Sequence, residues 1–242
     1  MRLDKFLAGS GLGSRSQVKQ VLKNKQIRLN GQIEKQAKTQ VDPLLDDIRL
    51  DGQKLSYQKY LYYLLNKPSG FLSATEDRTQ ATVLDLLDDE ARQRQVFPVG
   101  RLDRDTRGLL LLTNNGPLAH ALLSPKRHVE KTYLAQVAGI MTAEDQTAFA
   151  GGLALKDFTC QPASLKILDQ DLEKETCLVE ITISEGKHHQ VKRMVQARGK
   201  TVTDLKRLSM GPLELDSELA EGDYRSLTAS ELASLEVYGL EL

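Results

Sequence analysis

Residues 100–112 are Gly100-Arg101-Leu102-Asp103-Arg104-Asp105-Thr106-Arg107-Gly108 followed by four leucines. The leucine run is too short for a helix and soon meets Asn115-Gly116, so it predicts a buried β-strand. The charged residues before it then form a loop at one end of that strand, where functional side chains often lie. Five charges in seven residues also fit a solvated turn with surface ion pairs. Spacing alone leaves both interpretations open.

The same stretch resembles a motif of the pseudouridine synthases, in the branch typified by the small-subunit ribosomal enzymes. That motif is Gly-Arg-Leu-Asp, two variable residues, Thr, one variable residue and Gly, followed by apolar residues. All its fixed positions are present: Gly100, Arg101, Leu102, Asp103, Thr106 and Gly108. The resemblance implies that Asp103 is the catalytic aspartate and that Arg101 contacts the substrate. Asn115 departs from the family, which more often has an acidic residue at that position.

Composition restricts the class of protein. A chain of 242 residues with 40% apolar and 27% charged residues is ordinary for a globular protein of one or two domains. The sequence has no signal peptide and no membrane-spanning run, and Cys160 and Cys177 lack neighbours at metal-ligand spacing. We therefore expect a cytoplasmic protein with reduced thiols and no membrane contact.

The net charge is zero because two ends of the chain cancel. Residues 1–40 contain nine Lys or Arg and two acids, a net charge of +7, whereas residues 212–242 carry a net charge of −7. A basic segment on an otherwise neutral chain indicates that this segment binds a polyanion. The alternative is a basic module that contributes only solubility.

The basic segment has the pattern of a small module of helices and hairpins. Its first helix has an apolar face formed by Leu3, Phe6 and Leu7, and Ser14 can cap a second helix that ends near Asn24. Basic residues recur every four positions along this second helix, at Arg15, Lys19 and Lys23. Asn-Gly and Asp-Gly pairs then predict tight turns between short strands.

This layout resembles the S4 RNA-binding domain. The resemblance implies that the basic edge of the second helix contacts RNA phosphates, which position a protein on RNA without reading its sequence. We therefore predict an RNA-binding domain over residues 1–57 and a catalytic domain over residues 58–242.

Two later motifs match the same family. Tyr133 lies in an alternating stretch that predicts a strand, and a tyrosine at this place in the family stacks on the target uracil. In His189-Gln190-Val191-Lys192-Arg193 the resemblance implies that Lys192 pairs with the catalytic aspartate and keeps it ionised. Arg193 is a second candidate for substrate contact. Without the resemblance, Tyr133 would be a core aromatic and the two cations a solvated helix start. The adjacent His188 and His189 point to different faces without a third ligand nearby, so we do not expect zinc.

The resemblance implies an α+β fold, with a small N-terminal α/β module and a catalytic domain that has a mostly antiparallel sheet flanked by helices. It also implies that the chain isomerises one uridine of 16S ribosomal RNA to pseudouridine without a cofactor or metal. The expected partner is ribosomal RNA or a small-subunit assembly intermediate, and the expected state is a monomer. Whether Asp103 acts as a nucleophile or as a base stays open.

The same residues also fit three other functions. The first is a pseudouridine synthase that acts on large-subunit ribosomal RNA, although His189-Gln190 resembles the small-subunit enzymes more closely. The second is an RNA-binding ribosome-assembly factor without catalytic activity. The third is a glycosidase that uses Asp103 and Asp105, which is weaker because acids two positions apart rarely flank a glycosidic bond.

Overall fold

The computed structural model describes residues 1–238, apart from the side chain of Arg15. The chain forms two compact units: Met1–Leu61 together with Leu87–Val96, and Tyr62–Leu86 together with the chain from Phe97 onward. The predicted α+β fold is confirmed. The division into domains at residues 57 and 58 stays a prediction. Within the described range, no helix has the length and apolarity needed to cross a membrane.

The first unit consists of short helices and a small antiparallel sheet. The helices are α1 (Leu3–Gly9), α2 (Arg15–Asn24) and α3 (Asp89–Gln93). The strands β1 (Ile27–Leu29), β2 (Gln32–Ile33), β3 (Ile48–Leu50) and β4 (Gln53–Lys54) lie in the order β2-β1-β3-β4. Ser14 caps α2 in a reciprocal capping box with Gln17, as its position in the sequence predicts. Both predicted hairpin turns are confirmed, since Asn30 and Asp51 adopt positive φ angles before a glycine.

The second unit is built on one large sheet. Its strands are β5 (Tyr62–Lys67), β6 (Phe97–Pro98), β7 (Arg107–Thr113), β8 (Lys131–Ala138), β9 (Ser164–Asp171), β10 (Thr176–Ile183), β11 (Thr201–Met210), β12 (Leu213–Glu214) and β13 (Tyr224–Ser226). The main path is β13-β5-β7-β11-β8-β10-β9, with β12 beside β11 and β6 beside β7. The helices around it are α4 (Gly116–Leu123), α5 (Ala143–Gly151), α6 (Gln190–Ala197) and α7 (Ala229–Leu235).

The predicted leucine strand is β7, which lies inside this sheet between antiparallel β5 and parallel β11. Its four leucines, residues 109–112, have no exposed surface. A strand covered on both faces carries a continuous apolar run instead of an alternating one. Gly108 opens the run at φ +97°, and a Cβ there would lie 2.2 Å from the carbonyl oxygen of Arg207 on β11. Only glycine fits that close approach, which fixes the point where the charged loop leaves the sheet.

Candidate active site

The charged loop that precedes β7 is fastened to the segment that follows β5. The backbone N–H of Gly70 donates to the carbonyl of Arg104 at 2.8 Å. The hydroxyl of Ser73 donates to the carbonyl of Leu102 at 2.9 Å and accepts from the Leu102 N–H at 3.0 Å. Because these bonds flank Asp103 on both sides, the backbone around this aspartate has one defined position.

A buried lysine forms hydrogen bonds to the backbone of the same loop. Lys67, the last residue of β5, has no exposed surface, and its Nζ donates to four backbone carbonyls. The acceptors are Pro68 at 3.0 Å, Asp103 at 3.2 Å, Arg104 at 3.2 Å and Thr106 at 2.9 Å. The sequence of residues 66–70 predicts a turn and resembles the entry motif of the family, but it does not indicate that Lys67 is buried. One signal in the sequence could have singled out Lys67: it is a charged residue at the end of an apolar strand, directly before proline. A charged side chain in such a strand is seldom buried unless it has partners.

Two basic side chains face the carboxylate of Asp103. The Nζ of Lys192 on α6 lies 3.2 Å from Oδ2 of Asp103, and Nε2 of His189 lies 3.5 Å from Oδ1. About a quarter of the Asp103 side chain is exposed, so a substrate can reach it. The structure thus brings together Asp103 and Lys192, the pair that the sequence motifs suggested. It adds His189, which the sequence gave as part of the family motif but not as a group that contacts Asp103.

Lys192 bridges two carboxylates, because its Nζ also lies 2.6 Å from Oδ1 of Asp105. Burial alone would lower the pKa of Lys192, but the hydrogen bond to Asp105 and the charge of Asp103 outweigh it and raise that pKa. The hydrogen bond from Lys192 in turn lowers the pKa of Asp105 against a smaller effect of burial. Lys192 therefore stays protonated beside Asp103.

From its place in the sequence Asp105 is expected to pair with Arg101, Arg104 or Arg107 at the surface, and this expectation is wrong. Asp105 contacts Lys192, whereas Arg107 pairs with Asp204 at 2.5 Å and also contacts Glu221. Lys192 is 87 positions from Asp105 along the chain. Pairs that are close in sequence were the natural candidates, but the loop turns Asp105 toward α6 instead.

Tyr133 lies level with the end of the loop. In the register of the sheet, Gly108 of β7 pairs with Arg207 of β11, and Arg207 pairs with Tyr133 of β8. Two strand spacings, roughly 9–10 Å, therefore separate Tyr133 from the start of β7. Tyr133 is 9% exposed, and Arg207 is 3% exposed. Arg207 was not singled out by the sequence; its Nε donates to the carbonyl of Leu109 at 2.8 Å.

The other two predicted substrate contacts are Arg193, which contacts other residues than Asp103, and Arg101, which is exposed to solvent. Arg193 follows Lys192 on α6, but its guanidinium pairs with Asp157 and lies 5.1 Å from the ring centre of Phe158. Successive residues on a helix point about 100° apart, so only one of the two cations can face Asp103. Arg101 is exposed at the start of the loop.

The predicted RNA-binding residues lie on α2 in the first unit. Lys19 and Lys23 are exposed along one edge of this helix, and the side chain of Arg15 lies outside the described part of the chain. An open groove of about 460 Å³ adjoins Lys19; it is lined by Met1, Arg2, Asp4, Lys5 and Lys19. Asp4 is almost fully buried and pairs with Arg2 at 2.5 Å. Across residues 1–238, no three His, Cys, Asp or Glu side chains cluster as metal ligands do.

Comparison with known proteins matches both parts of the chain. The family model described as RNA pseudouridylate synthase matches residues 61–197, and the S4 domain matches residues 1–44. The chain is 46% identical to RNA pseudouridine synthase YtzG of Bacillus subtilis, over 96% of this chain and 97% of that protein. It is 42% identical to ribosomal small subunit pseudouridine synthase A of Pasteurella multocida, over 97% and 99%.

Two further matches bear on target and fold. Ribosomal large subunit pseudouridine synthase B of Bacillus subtilis is 37% identical, over 97% of this chain and 95% of that protein. A crystal structure of a pseudouridylate synthase superimposes with a TM-score of 0.66 at 37% identity, over 97% of this chain and 99% of the other.

Proposed function

The chain belongs to the RNA pseudouridylate synthase family, and from that premise we propose that it converts one uridine of 16S ribosomal RNA to pseudouridine, with Asp103 as the reacting carboxylate. The reaction breaks the bond between C1′ of the ribose and N1 of uracil, turns the base, and joins C1′ to C5. The product is an isomer of the substrate. The carboxylate acts at the sugar, either as a nucleophile or as a base.

The observation that carries this proposal is the environment of Asp103. Its loop is pinned by Lys67, and the cation of Lys192 lies 3.2 Å from its carboxylate. Only the ionised form of a carboxylate can attack carbon or accept a proton, and the ammonium of Lys192 provides a counter-charge beside it. A fixed backbone also removes the need to orient the carboxylate during the reaction. Charge and position are therefore both prepared before RNA binds.

Tyr133 supports the placement of the target base. A uridine in folded RNA must leave its stack before an enzyme reaches its glycosidic bond, and this costs a few kcal/mol. Stacking of the extruded base on an aromatic ring returns about 1–3 kcal/mol. Tyr133 is level with Gly108 in the strand register, at the end of the sheet where the Asp103 loop lies, and this position supports our proposal that its ring stacks on the extruded uracil.

Small-subunit RNA is favoured over large-subunit RNA by the relatives. The small-subunit enzyme of Pasteurella multocida is 42% identical, whereas the large-subunit enzyme of Bacillus subtilis is 37% identical over a similar length. The difference is small, so a direct test is required. Pseudouridines should be mapped in ribosomal RNA from cells with and without this gene, and from cells complemented with the Asp103→Asn variant.

We expect one 16S mark to vanish on deletion, to return with the wild-type gene and to stay absent with Asp103→Asn. A lost mark confined to the large-subunit RNA would reject the target while keeping the activity. A mark that returns with Asp103→Asn would reject the role of Asp103.

A second prediction concerns the basic edge of α2. Replacing Lys19 and Lys23 with glutamine should weaken RNA binding and reduce the slope of log Kd against log salt by about 1.4–1.8, because each phosphate contact contributes about 0.7–0.9. The rate on saturating RNA should change little, since neither side chain belongs to the second unit. Binding is measured by filter retention between 50 and 200 mM salt, the range in which such contacts are lost.

The matched control is the double variant Lys166→Gln with Lys174→Gln, which removes the same charge from exposed positions around the β9–β10 turn. If both double variants show the same salt slope, α2 does not contact RNA phosphates. Point variants are preferred to deletion of residues 1–57, because residues 87–96 belong to the same compact unit and would lose their packing partners.

A further inference from the structure

His189 has an unusual backbone at the start of α6. It precedes Gln190, the first residue of the helix, and adopts φ 51° and ψ 31° in the left-handed region. Residues other than glycine seldom take this conformation, and where they do the surroundings often hold them for a functional reason. The imidazole here lies beside the reacting carboxylate, with Nε2 3.5 Å from Oδ1 of Asp103.

The imidazole of His189 is open to a substrate. A separation of 3.5 Å is too long for a strong hydrogen bond, and the His189 side chain forms no other hydrogen bond to the described residues. The ring of His188 is stacked on it with centres 3.8 Å apart, so the expectation that these two histidines point to different faces is wrong. Almost half of the side chain, 46%, is exposed. His189 thus presents a ring nitrogen next to the place where the sugar must sit.

The reaction requires a proton acceptor near C5, on the premise that the proposed function is correct. Once C5 has bonded to C1′, it still carries its original hydrogen. In this intermediate C6 is doubly bonded to N1. When the C5–H bond breaks, its electron pair forms the C5=C6 double bond, the N1=C6 bond becomes single and its electron pair passes to N1. N1 then takes up a proton from solvent, so atoms and charge balance. C5 is then bonded to the same C1′ at which Asp103 acts, so its hydrogen lies within reach of groups around Asp103.

We propose that Nε2 of His189 accepts the C5 proton and then releases it to water. An efficient general base should titrate near the working pH, and imidazole is the side chain that ordinarily does so near neutrality. Its uncharged form has a lone pair at neutral pH, and its charged form can lose the proton again before the next turnover.

The other groups around the carboxylate are poorer acceptors. Lys192 is held as a cation between two carboxylates, and Lys67 is buried with its protons directed at backbone carbonyls. The hydrogen bond from Lys192 lowers the pKa of Asp105, which weakens it as a base. Tyr133 is two strands away from the start of β7 and is only 9% exposed. His189 is left as the base with the right charge and position.

The test compares His189→Gln with His188→Gln in the full chain. The substrate is a 16S ribosomal RNA transcript made with uridine that carries deuterium at C5, and mass spectrometry follows the loss of deuterium in a single turnover. Removing a general base costs about 10²–10⁴-fold in rate, so His189→Gln should be slower by at least about 10²-fold. Because proton removal then limits the rate, its deuterium isotope effect should exceed that of the wild type. His188→Gln should match the wild type in both.

Two further measurements separate a base from a positioning residue. Imidazole in the buffer should partly restore the rate of His189→Ala, because a free base can enter the space that the side chain leaves. The pH profile of the wild-type rate should also contain a limb caused by protonation of this base, which persists in His188→Gln and is absent from His189→Gln. The charged or titratable groups around His189 are Asp103, Asp105, His188 and Lys192, which lies beside both carboxylates.

The proposal is overturned if His189→Gln has the wild-type isotope effect and imidazole does not restore His189→Ala. A thermal unfolding midpoint of both histidine variants close to that of the wild type would show that neither has lost its fold. Failure of the proposed function looks different. A wild-type chain that removes no deuterium from 16S RNA but removes it from large-subunit RNA has another target, and His189 is then tested on that RNA.

Discussion

Asp103→Asn should abolish isomerisation, with a loss of at least about 10⁴-fold, while RNA still binds. Asparagine keeps the shape of the side chain but has no negative charge and almost no nucleophilicity or basicity. Lys192 and His189 would then flank a neutral amide, so nothing in the pocket could act at the sugar carbon. Affinity should persist because phosphate contacts supply most of the binding free energy of such proteins.

Asp105→Asn is the matched control, two positions away in the same loop. Asp105 is 72% exposed and also pairs with Lys192, so its loss removes an ion pair worth about 0–1 kcal/mol. Lys192 would still contact Asp103, and turnover should drop by no more than a few-fold. The assay is release of tritium from 16S RNA labelled at C5 of uridine, with filter binding as the measure of affinity. Label release that survives Asp103→Asn, or that is lost with Asp105→Asn alone, would show that the wrong carboxylate has been chosen.

Lys67→Met should lower kcat/KM by about 10²-fold without unfolding the chain. The ammonium of Lys67 is the shared donor for carbonyls of Asp103, Arg104 and Thr106, and methionine fills the space without donating. A catalytic group displaced by about 1 Å can cost 10²-fold in rate. Carbonyls left without a donor should lower the free energy of unfolding by about 1–3 kcal/mol. Tritium release and urea unfolding measure the two effects.

Lys131→Met provides the comparison. Lys131 is also a buried lysine, but its Nζ donates to the carbonyl of Val129 at 2.5 Å and not to the loop. Lys67→Met should lose the more stability, because four carbonyls lose a donor there and only one does in Lys131→Met, and the larger loss of activity should also follow Lys67. Equal losses of activity would mean that any buried lysine of this sheet matters as much, and that Lys67 has no special hold on Asp103.

The pH dependence of stability gives a second test of Lys67. Burial lowers its pKa to about 8, although the charges of Asp105 and Asp103 oppose the shift, and an unfolded lysine titrates near 10.5. Between these two pH values the unfolded chain therefore binds more protons than the folded chain, so the free energy of unfolding rises with pH. The contribution of Lys67 to stability is fully present above about pH 10.5 and is lost as the pH falls through about 8. Burial also lowers the pKa of Lys131 to about 8. Because Lys131 is present in both the wild type and Lys67→Met, its contribution cancels when the two are compared. Wild-type stability should thus rise with pH relative to Lys67→Met; an unchanged difference would contradict a buried, protonated Lys67.

Local patterns in the sequence were enough for several features. The apolar run of residues 109–112 indicated the buried strand β7, because four apolar residues bounded by glycine-containing turns are too few for a helix. Ser14 predicted the start of α2, and the Asn-Gly and Asp-Gly pairs predicted both hairpins of the first unit. Family membership also followed from sequence, since the motif around Asp103 joins residues that are adjacent in the chain.

The tertiary structure decided which side chains surround Asp103. Lys67 reaches carbonyls 36 to 39 positions away, and Lys192 reaches Asp105 across 87 positions. No local pattern encodes such contacts, because they depend on how strands β5 and β7 and helix α6 pack. The rotation of α6 directs Lys192 to the carboxylates and Arg193 to Asp157, although the two cations are neighbours in sequence. His189 belonged to the family motif, but only the fold places its ring beside Asp103, on a left-handed backbone of a kind that is set by the folded surroundings.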